Sequence, residues 1–199
     1  MVCLKRKNAY NVAVVGATGA VGGKTVETLE KRNFPVANIK YLAGQKSAGT
    51  KKDFKGVACD VELLTENSFK GIDVAFFCAG GSVSDKFVKY ATEAGAVVID
   101  KTSRFRMEPD VPLIVPEVNP AALSGYKKTG IISNPNCSTI QMVVALKPLH
   151  DAYGIKRVVV DTYQSVSGAG RGGIYELTEF TKNRLADGSR QPSSVIAKN

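Results

Sequence analysis

Apolar positions along the chain follow two rhythms, and their alternation predicts most of the secondary structure. Short, mostly apolar runs occur at Ala9–Val15, Ile39–Ala43, Asp73–Phe77 and Val97–Ile99. Runs of that length, rich in β-branched and aromatic residues and bounded by glycine or charge, read as strands covered on both faces. A shorter strand is expected at 56–61. Between the runs lie helical spacings. Residues 19–31 predict a helix with Val21, Val26 and Leu29 turned inward, and 84–94 one with Phe87, Val88 and Ala91 as its stripe. This strand–helix rhythm through Asp100 predicts an α/β fold, a Rossmann-like doubly wound parallel sheet.

Beyond Asp100 the rhythm changes. Prolines at 109, 112, 116 and 120 mark a structured loop holding one short buried strand at Leu113–Val115. Ile140–Leu149 is apolar almost all round, which predicts a buried helix that Pro148 kinks or ends. A strand is expected at Lys156–Tyr163, a glycine-rich loop at 164–173, a helix at 174–184, and the start of a further strand at Ser193–Asn199.

Two stretches carry candidate chemistry. The first strand runs into Gly16-Ala17-Thr18-Gly19-Ala20-Val21-Gly22 and then a helix. In that setting Gly16 permits a tight turn, Gly19 lets a diphosphate approach the backbone, and Gly22 packs the helix on the strand. After the second strand the chain has Gly44-Gln45-Lys46-Ser47 where NAD-specific proteins carry an acidic residue. Lys46 and Ser47 suit a 2′-phosphate and favour NADP; a solvated basic loop is the alternative. Gly80 and Gly81, in Cys78-Ala79-Gly80-Gly81-Ser82, allow close approach of a cofactor ribose or phosphate.

The second stretch is Ser133-Asn134-Pro135-Asn136-Cys137-Ser138-Thr139. Asn134-Pro135 requires extended or turned backbone, and Asn136 is a good helix N-cap. Cys137 then stands at a helix N-terminus, a position that favours a nucleophilic thiolate. A buried structural cysteine has no need of that turn chemistry. Ser103-Arg104-Phe105-Arg106 offers an anion clamp, with surface salt bridging as the alternative. The one histidine, His150, lies ~20 Å from Cys137 along the same helix at 1.5 Å per residue, too far for a catalytic pair.

Composition adds limits. The chain has 199 residues, 44% hydrophobic and 23% charged, as an ordinary soluble protein does. No apolar run reaches the length of a membrane span, and no signal-peptide cleavage pattern follows the basic start, so a cytoplasmic location is expected. Cysteines at 3, 59, 78 and 137 show neither paired nor metal spacing and read as reduced thiols; no metal is expected. The net charge is +9, but the lysines are scattered without interleaved aromatics. That argues against nucleic acid and suits a phosphorylated substrate and a polyphosphate cofactor.

The glycine loop, the Ser-Asn-Pro-Asn-Cys-Ser-Thr-Ile-Gln stretch and Thr162-Tyr163-Gln164-Ser165-Val166-Ser167-Gly168-Ala169-Gly170 together resemble aspartate-β-semialdehyde dehydrogenase over essentially the whole chain. The resemblance implies NADPH-dependent reductive dephosphorylation of L-aspartyl-4-phosphate to aspartate semialdehyde, on the route to lysine, threonine and methionine. Cys137 would be the nucleophile that forms a thioester, Asn136 would help stabilise the oxyanion, and Gln164 would orient the substrate. Arg106, with Ser103, would bind substrate phosphate. Gly16, Thr18, Gly19, Ala20, Val21, Gly22, Lys46, Ser47, Gly80, Gly81, Ser167 and Gly168 would hold NADP.

The division implied is an NADP-binding domain over residues 1–136 and, from 137 to 199, the beginning of an α+β catalytic and dimerisation domain. The family's acid–base histidine and substrate-carboxylate arginine lie later than this chain reaches, so a fragment or completion by another chain is expected. The complete protein would be a homodimer or a dimer of dimers. A cofactor-binding fragment without turnover, or a related acyl-phosphate reductase, are the alternatives.

Overall fold

The computed structural model describes residues 3–187. Seven strands form one sheet: β1 (Tyr10–Val15), β2 (Val36–Ala43), β3 (Lys51–Phe54), β4 (Val57–Leu63), β5 (Val74–Phe77), β6 (Val97–Asp100) and β7 (Ile131–Ser133). Their order across the sheet is β3-β4-β2-β1-β5-β6-β7, and every pair is parallel except β3 with β4. Five α-helices accompany them: α1 (Ala20–Lys31), α2 (Gly81–Glu93), the single turn α3 (Tyr126–Thr129), α4 (Cys137–Tyr153) and α5 (Gly170–Asp187).

Strand β1 shows why the sheet is buried on both sides. Its residues alternate between two apolar clusters, Ala13 and Val15 in one, Val12 and Val14 in the other. Val88 and Ala91 of α2 close the first, while Val26 and Leu29 of α1 close the second. The period of two along the strand meets the helical period on opposite faces, which is the doubly wound arrangement. Phe77 and Tyr41 are fully buried, each worth about 1.5–3 kcal/mol of apolar transfer.

Val21 departs from the expected inward stripe: it is 40% exposed. The buried positions of α1 are Gly22, Thr25, Val26 and Leu29, so the stripe is rotated and Val21 faces the mouth of a cleft. The pattern 56–61 becomes β4, and β3 joins it through a tight turn with positive φ at Lys55 (51°) and Gly56 (82°). Because β3 is short, charged and at the sheet edge, its hydrophobic signal is weak. Leu113–Val115 forms only an isolated bridge, Leu113 with Ser133, although Ile114 and Val115 are buried.

After β7 the structure departs from several expectations. Pro148 sits inside α4 without ending it; the helix runs on to Tyr153 and stops at Gly154, which is left-handed. No residue of α4 is buried, so its all-round apolar sequence faces partly outward. Lys156–Tyr163 forms no strand, because a strand requires a hydrogen-bonded neighbour and no described segment supplies one. Val159 is 78% exposed there and Tyr163 is fully exposed. The helix expected at 174–184 begins earlier, at Gly170. The strand start expected at 193–199 lies outside the described residues.

Candidate functional site

Strand order reverses at β1: α1 carries the chain to β2 on one side, and β5 lies on the other. The crevice at the C-terminal ends of these strands is where open α/β sheets bind ligands. A cavity of about 650 Å³ opens there. Its walls come from the glycine loop after β1, from Gly44 and Ser47 after β2, from Gly80 after β5, and from residues 168–171.

The glycine loop is shaped by contacts that exclude side chains. Gly16 has φ +80° and passes so close to Ala79 that a Cβ would come within 2.8 Å of it. A Cβ on Gly22 would come within 2.1 Å of the Gly16 carbonyl oxygen, so α1 rests directly on the loop. Gly19 caps α1 with no side-chain hydrogen bond, which leaves the first-turn N–H groups directed toward the cavity mouth. Backbone bonds fix the turn: Gly19 N–H donates to Gly16 O and Gly23 N–H to Gly19 O, both at 2.9 Å. Thr18 Oγ1 donates to Ser47 Oγ at 3.2 Å, tying the loops after β1 and β2 together.

A second cavity of about 450 Å³ shares Ala20, Val21 and Gly168 with the first. Cys137 opens into it, together with Lys24, Lys101 and Ser167. Cys137 is the first residue of α4 and is exposed. Asn136 is the N-cap: its Oδ1 accepts from Ser138 N–H at 2.9 Å. Its Nδ2 donates to Gln164 Oε1 at 3.0 Å, and Gln164 Nε2 lies against Gly168. Asn136, Cys137, Gln164, Ser167 and Gly168 are therefore brought together from two separate loops.

The two arginines beside Phe105 do different things. Arg104 pairs with Asp85 and Glu108 at 2.5 Å each and stacks on Phe105 at 4.9 Å. Exposed pairs of this kind stabilise little. Arg106 instead turns inward. Its Nε donates to Asn134 O at 2.9 Å and its Nη2 to Lys101 O at 3.4 Å, so it bridges the loops that lead to Cys137. Ser103 and Lys46 are exposed, and neither lines either cavity. Gly81 is the first residue of α2, beside Arg104.

Beneath these loops, Asp100 is fully buried and accepts from Ser84 Oγ and Thr102 Oγ1 at 2.9 Å and from Thr102 N–H at 3.1 Å. Its carbonyl accepts from Asn134 N–H at 2.9 Å. The end of β6 is thereby locked to the turn that presents Cys137. Cys78, at the end of β5, receives a 3.6 Å contact from Thr25 Oγ1. Burial pushes its thiol up, against the Thr25 hydroxyl and the Lys101 charge, which pull it down.

Sequence reasoning missed Lys101 and Arg171. Lys101 directly follows the parallel strand β6, the place where such sheets put functional groups, and that rule alone would have found it. Arg171 sits in a glycine-rich stretch that reads as a loop but forms the start of α5, and its partner across the cleft is about 150 residues earlier in the chain.

The fold and the cleft are those of a Rossmann-like nucleotide-binding α/β protein. Residues 11–126 match the family model for the semialdehyde dehydrogenase NAD-binding domain, and residues 146–198 that for its dimerisation domain. The chain belongs to the semialdehyde dehydrogenase family. It is 61% identical over 177 residues to an aspartate-semialdehyde dehydrogenase of Campylobacter jejuni, covering 88% of this chain and 52% of that one. The crystal structure of aspartate semialdehyde dehydrogenase II of Vibrio cholerae, complexed with ASA, superposes with a TM-score of 0.88 at 48% identity, covering 95% of this chain and 56% of that one. The Candida albicans aspartate semialdehyde dehydrogenase with NADP superposes at 0.60 and 30% identity, covering 74% and 48%. The chain spans about half the length of the relatives it matches.

Proposed function

We propose that this chain is the cofactor-binding and nucleophile-bearing part of an NADP-dependent aspartate-semialdehyde dehydrogenase. The observation that carries the reading is Cys137 at the start of α4, in a cavity that shares Ala20, Val21 and Gly168 with the glycine-loop cleft. The Cys137 sulfur attacks the acyl carbon of L-aspartyl-4-phosphate, the C–O bond to phosphate breaks, and a thioester remains on the protein. NADPH, when bound, supplies the hydride that reduces this thioester and releases the semialdehyde. The residues present fit such a cofactor: a loop that tolerates no Cβ at Gly16 or Gly22, a helix N-terminus behind it, and Ser47 on the cavity wall, with Lys46 beside it in the chain, for a 2′-phosphate.

Around the reacting carbon, Asn136 holds the α4 cap and Gln164 at once, which fixes the helix start that would face a developing oxyanion. Arg106, with Ser103 nearby, orients the Asn134 turn and takes the substrate phosphate. The cofactor part is residues 1–136; residues 137–199 open a catalytic and dimerisation part that the rest of the protein completes. The uncovered apolar side chains of α4 and of 155–163 suit that completion and a homodimer, single or paired. We place the protein in the cytoplasm and in lysine, threonine and methionine synthesis on the same reading.

The test is phosphate-dependent NADP reduction by L-aspartate-β-semialdehyde, in wild type and in Cys137→Ala. Loss of turnover by more than about 10³-fold in the variant is expected. Equal turnover in both rejects the thioester. A second reading, a nucleotide-binding module without catalysis, draws on His150: it lies in the last turn of α4, exposed and far from Cys137. NADPH binding with no turnover in wild type favours it.

A further inference from the structure

We infer that Arg171 closes the cofactor cleft by binding a phosphate group of the dinucleotide. The inference deepens the cofactor reading above and rests on it. Of the side chains lining the 650 Å³ cavity, Arg171 is the one that carries a charge. The other walls are glycine, small, hydroxyl-bearing or apolar residues: they fit a dinucleotide by shape and by N–H groups but leave its negative charge without a cation. NADP carries a diphosphate and a 2′-phosphate, so an arginine on the wall of that cavity has its natural partner within the cleft.

The placement of Arg171 also favours an anion nearby. It is the second residue of α5, an 18-residue helix with no acidic side chain in its first turn. A helix N-terminus carries positive partial charge, so a cation there is electrostatically disfavoured. Among the described residues Arg171 has no hydrogen bond and no ion pair, whereas Arg104 is paired twice. Glycine at 172 adds no side chain to crowd the site. The start of α1 brings its own positive end to the same cavity from the opposite wall. A phosphate between them resolves both repulsions.

Other cations are placed differently. Lys24 and Lys101 line the Cys137 cavity, and Lys24 is engaged by Glu27 at 2.7 Å. Lys46 lies on the outer turn after β2. The position of Arg171 has a consequence for the reacting side. Four residues earlier, Ser167 and then Gly168 face Cys137 across the second cavity. A phosphate held by Arg171 therefore pins the 165–171 segment, and cofactor binding orders the wall opposite the nucleophile.

The experiment is NADPH titration followed by nicotinamide fluorescence, in a chain that has no tryptophan to interfere. Wild type, Arg171→Ala and Arg171→Lys are compared, each with NADPH and with NADH, at low and high salt. We expect Arg171→Ala to weaken NADPH binding roughly 10- to 100-fold, the range for a lost charge-assisted hydrogen bond. Arg171→Lys should recover most of it, and Arg171→Ala should show a shallower salt dependence than wild type. A loss shared by NADH assigns the contact to the diphosphate, and a loss confined to NADPH assigns it to the 2′-phosphate. Arg171→Ala binding both nucleotides as wild type does, with unchanged salt dependence, overturns the inference. So does a loss that Arg171→Lys fails to recover. Wild type that binds neither nucleotide instead rejects the cofactor reading itself.

Discussion

Asn136 and Gln164, 28 positions apart, are joined by a 3.0 Å hydrogen bond from Nδ2 to Oε1. The same Asn136 amide caps α4 through its oxygen, which fixes the orientation of the group: oxygen toward Ser138 N–H, nitrogen toward Gln164. One side chain thereby sets both the start of the helix that carries Cys137 and the loop that faces it.

Removing that side chain should cost both functions, and the two are separable. Asn136→Ala should lower unfolding free energy by about 1 kcal/mol, the usual loss of an N-cap. Asn136→Asp keeps the cap and should stay within a few tenths of a kcal/mol of wild type, while losing the donor to Gln164. Urea denaturation of the three proteins checks this. Equal destabilisation by both substitutions would show that the cap is not what the asparagine provides.

Gly22 and Gly44 give a paired test of the glycine loop. A methyl group at Gly22 would meet the Gly16 carbonyl at 2.1 Å, whereas one at Gly44 would meet nothing within 4 Å. Gly22→Ala should destabilise by about 3 kcal/mol or more and abolish dinucleotide binding. Gly44→Ala should change stability by less than about 0.5 kcal/mol. Thermal unfolding and NADPH titration read both. A mild Gly22→Ala would mean that α1 can move off the loop.

Acid should weaken one tie between the amino-terminal segment and the sheet. Lys7 Nζ sits 2.6 Å from Asp73, which also accepts from Asn11 N–H at 3.0 Å. Burial pushes the Asp73 carboxyl up, but the Lys7 hydrogen bond and the Asn11 N–H together outweigh it and leave it below its ordinary value of 3.8. A carboxyl held low contributes stability that is complete above about pH 4 and lost as pH falls further. The margin of wild type over Asp73→Asn should be level from about pH 5 to 8 and shrink below about pH 4. It should stay within about 1 kcal/mol, because Lys7 is half in solvent. A margin that grows toward acid would contradict the pairing.

Thiol accessibility separates the four cysteines. Cys3 and Cys137 are exposed; Cys59 and Cys78 are half-buried, and burial pushes the Cys78 thiol up. Iodoacetamide at neutral pH should therefore label Cys3 and Cys137 well before Cys78, as read by peptide mass spectrometry. Bound NADPH should protect Cys78 further, since it lines the larger cavity. Early labelling of Cys78 would show that the end of β5 opens in solution.

The chain's own pattern determined the parallel α/β half of the molecule. Runs such as Val12–Val15 are buried on both faces where helices cover the sheet, and Gly16 and Gly22 mark a strand-to-helix turn because a Cβ at either would collide with its neighbours. The Asn136 cap and the position of Cys137 were legible for the same reason: N-capping is local chemistry within three residues. What lay beyond local reach was decided in three dimensions. Val21 turned outward because Gly22 had to sit on Gly16, which set the rotation of α1. Arg104 was drawn to Asp85 and Glu108 while Arg106 reached Asn134, a split that two arginines on one tripeptide do not reveal. Lys156–Tyr163 has the composition of a strand, yet a strand needs a neighbour's N–H and C=O groups, and its own residues cannot provide them. The convergence of Arg171 on a cleft begun at Val15 is likewise a matter of how α5 lies against α1, which no spacing along the chain encodes.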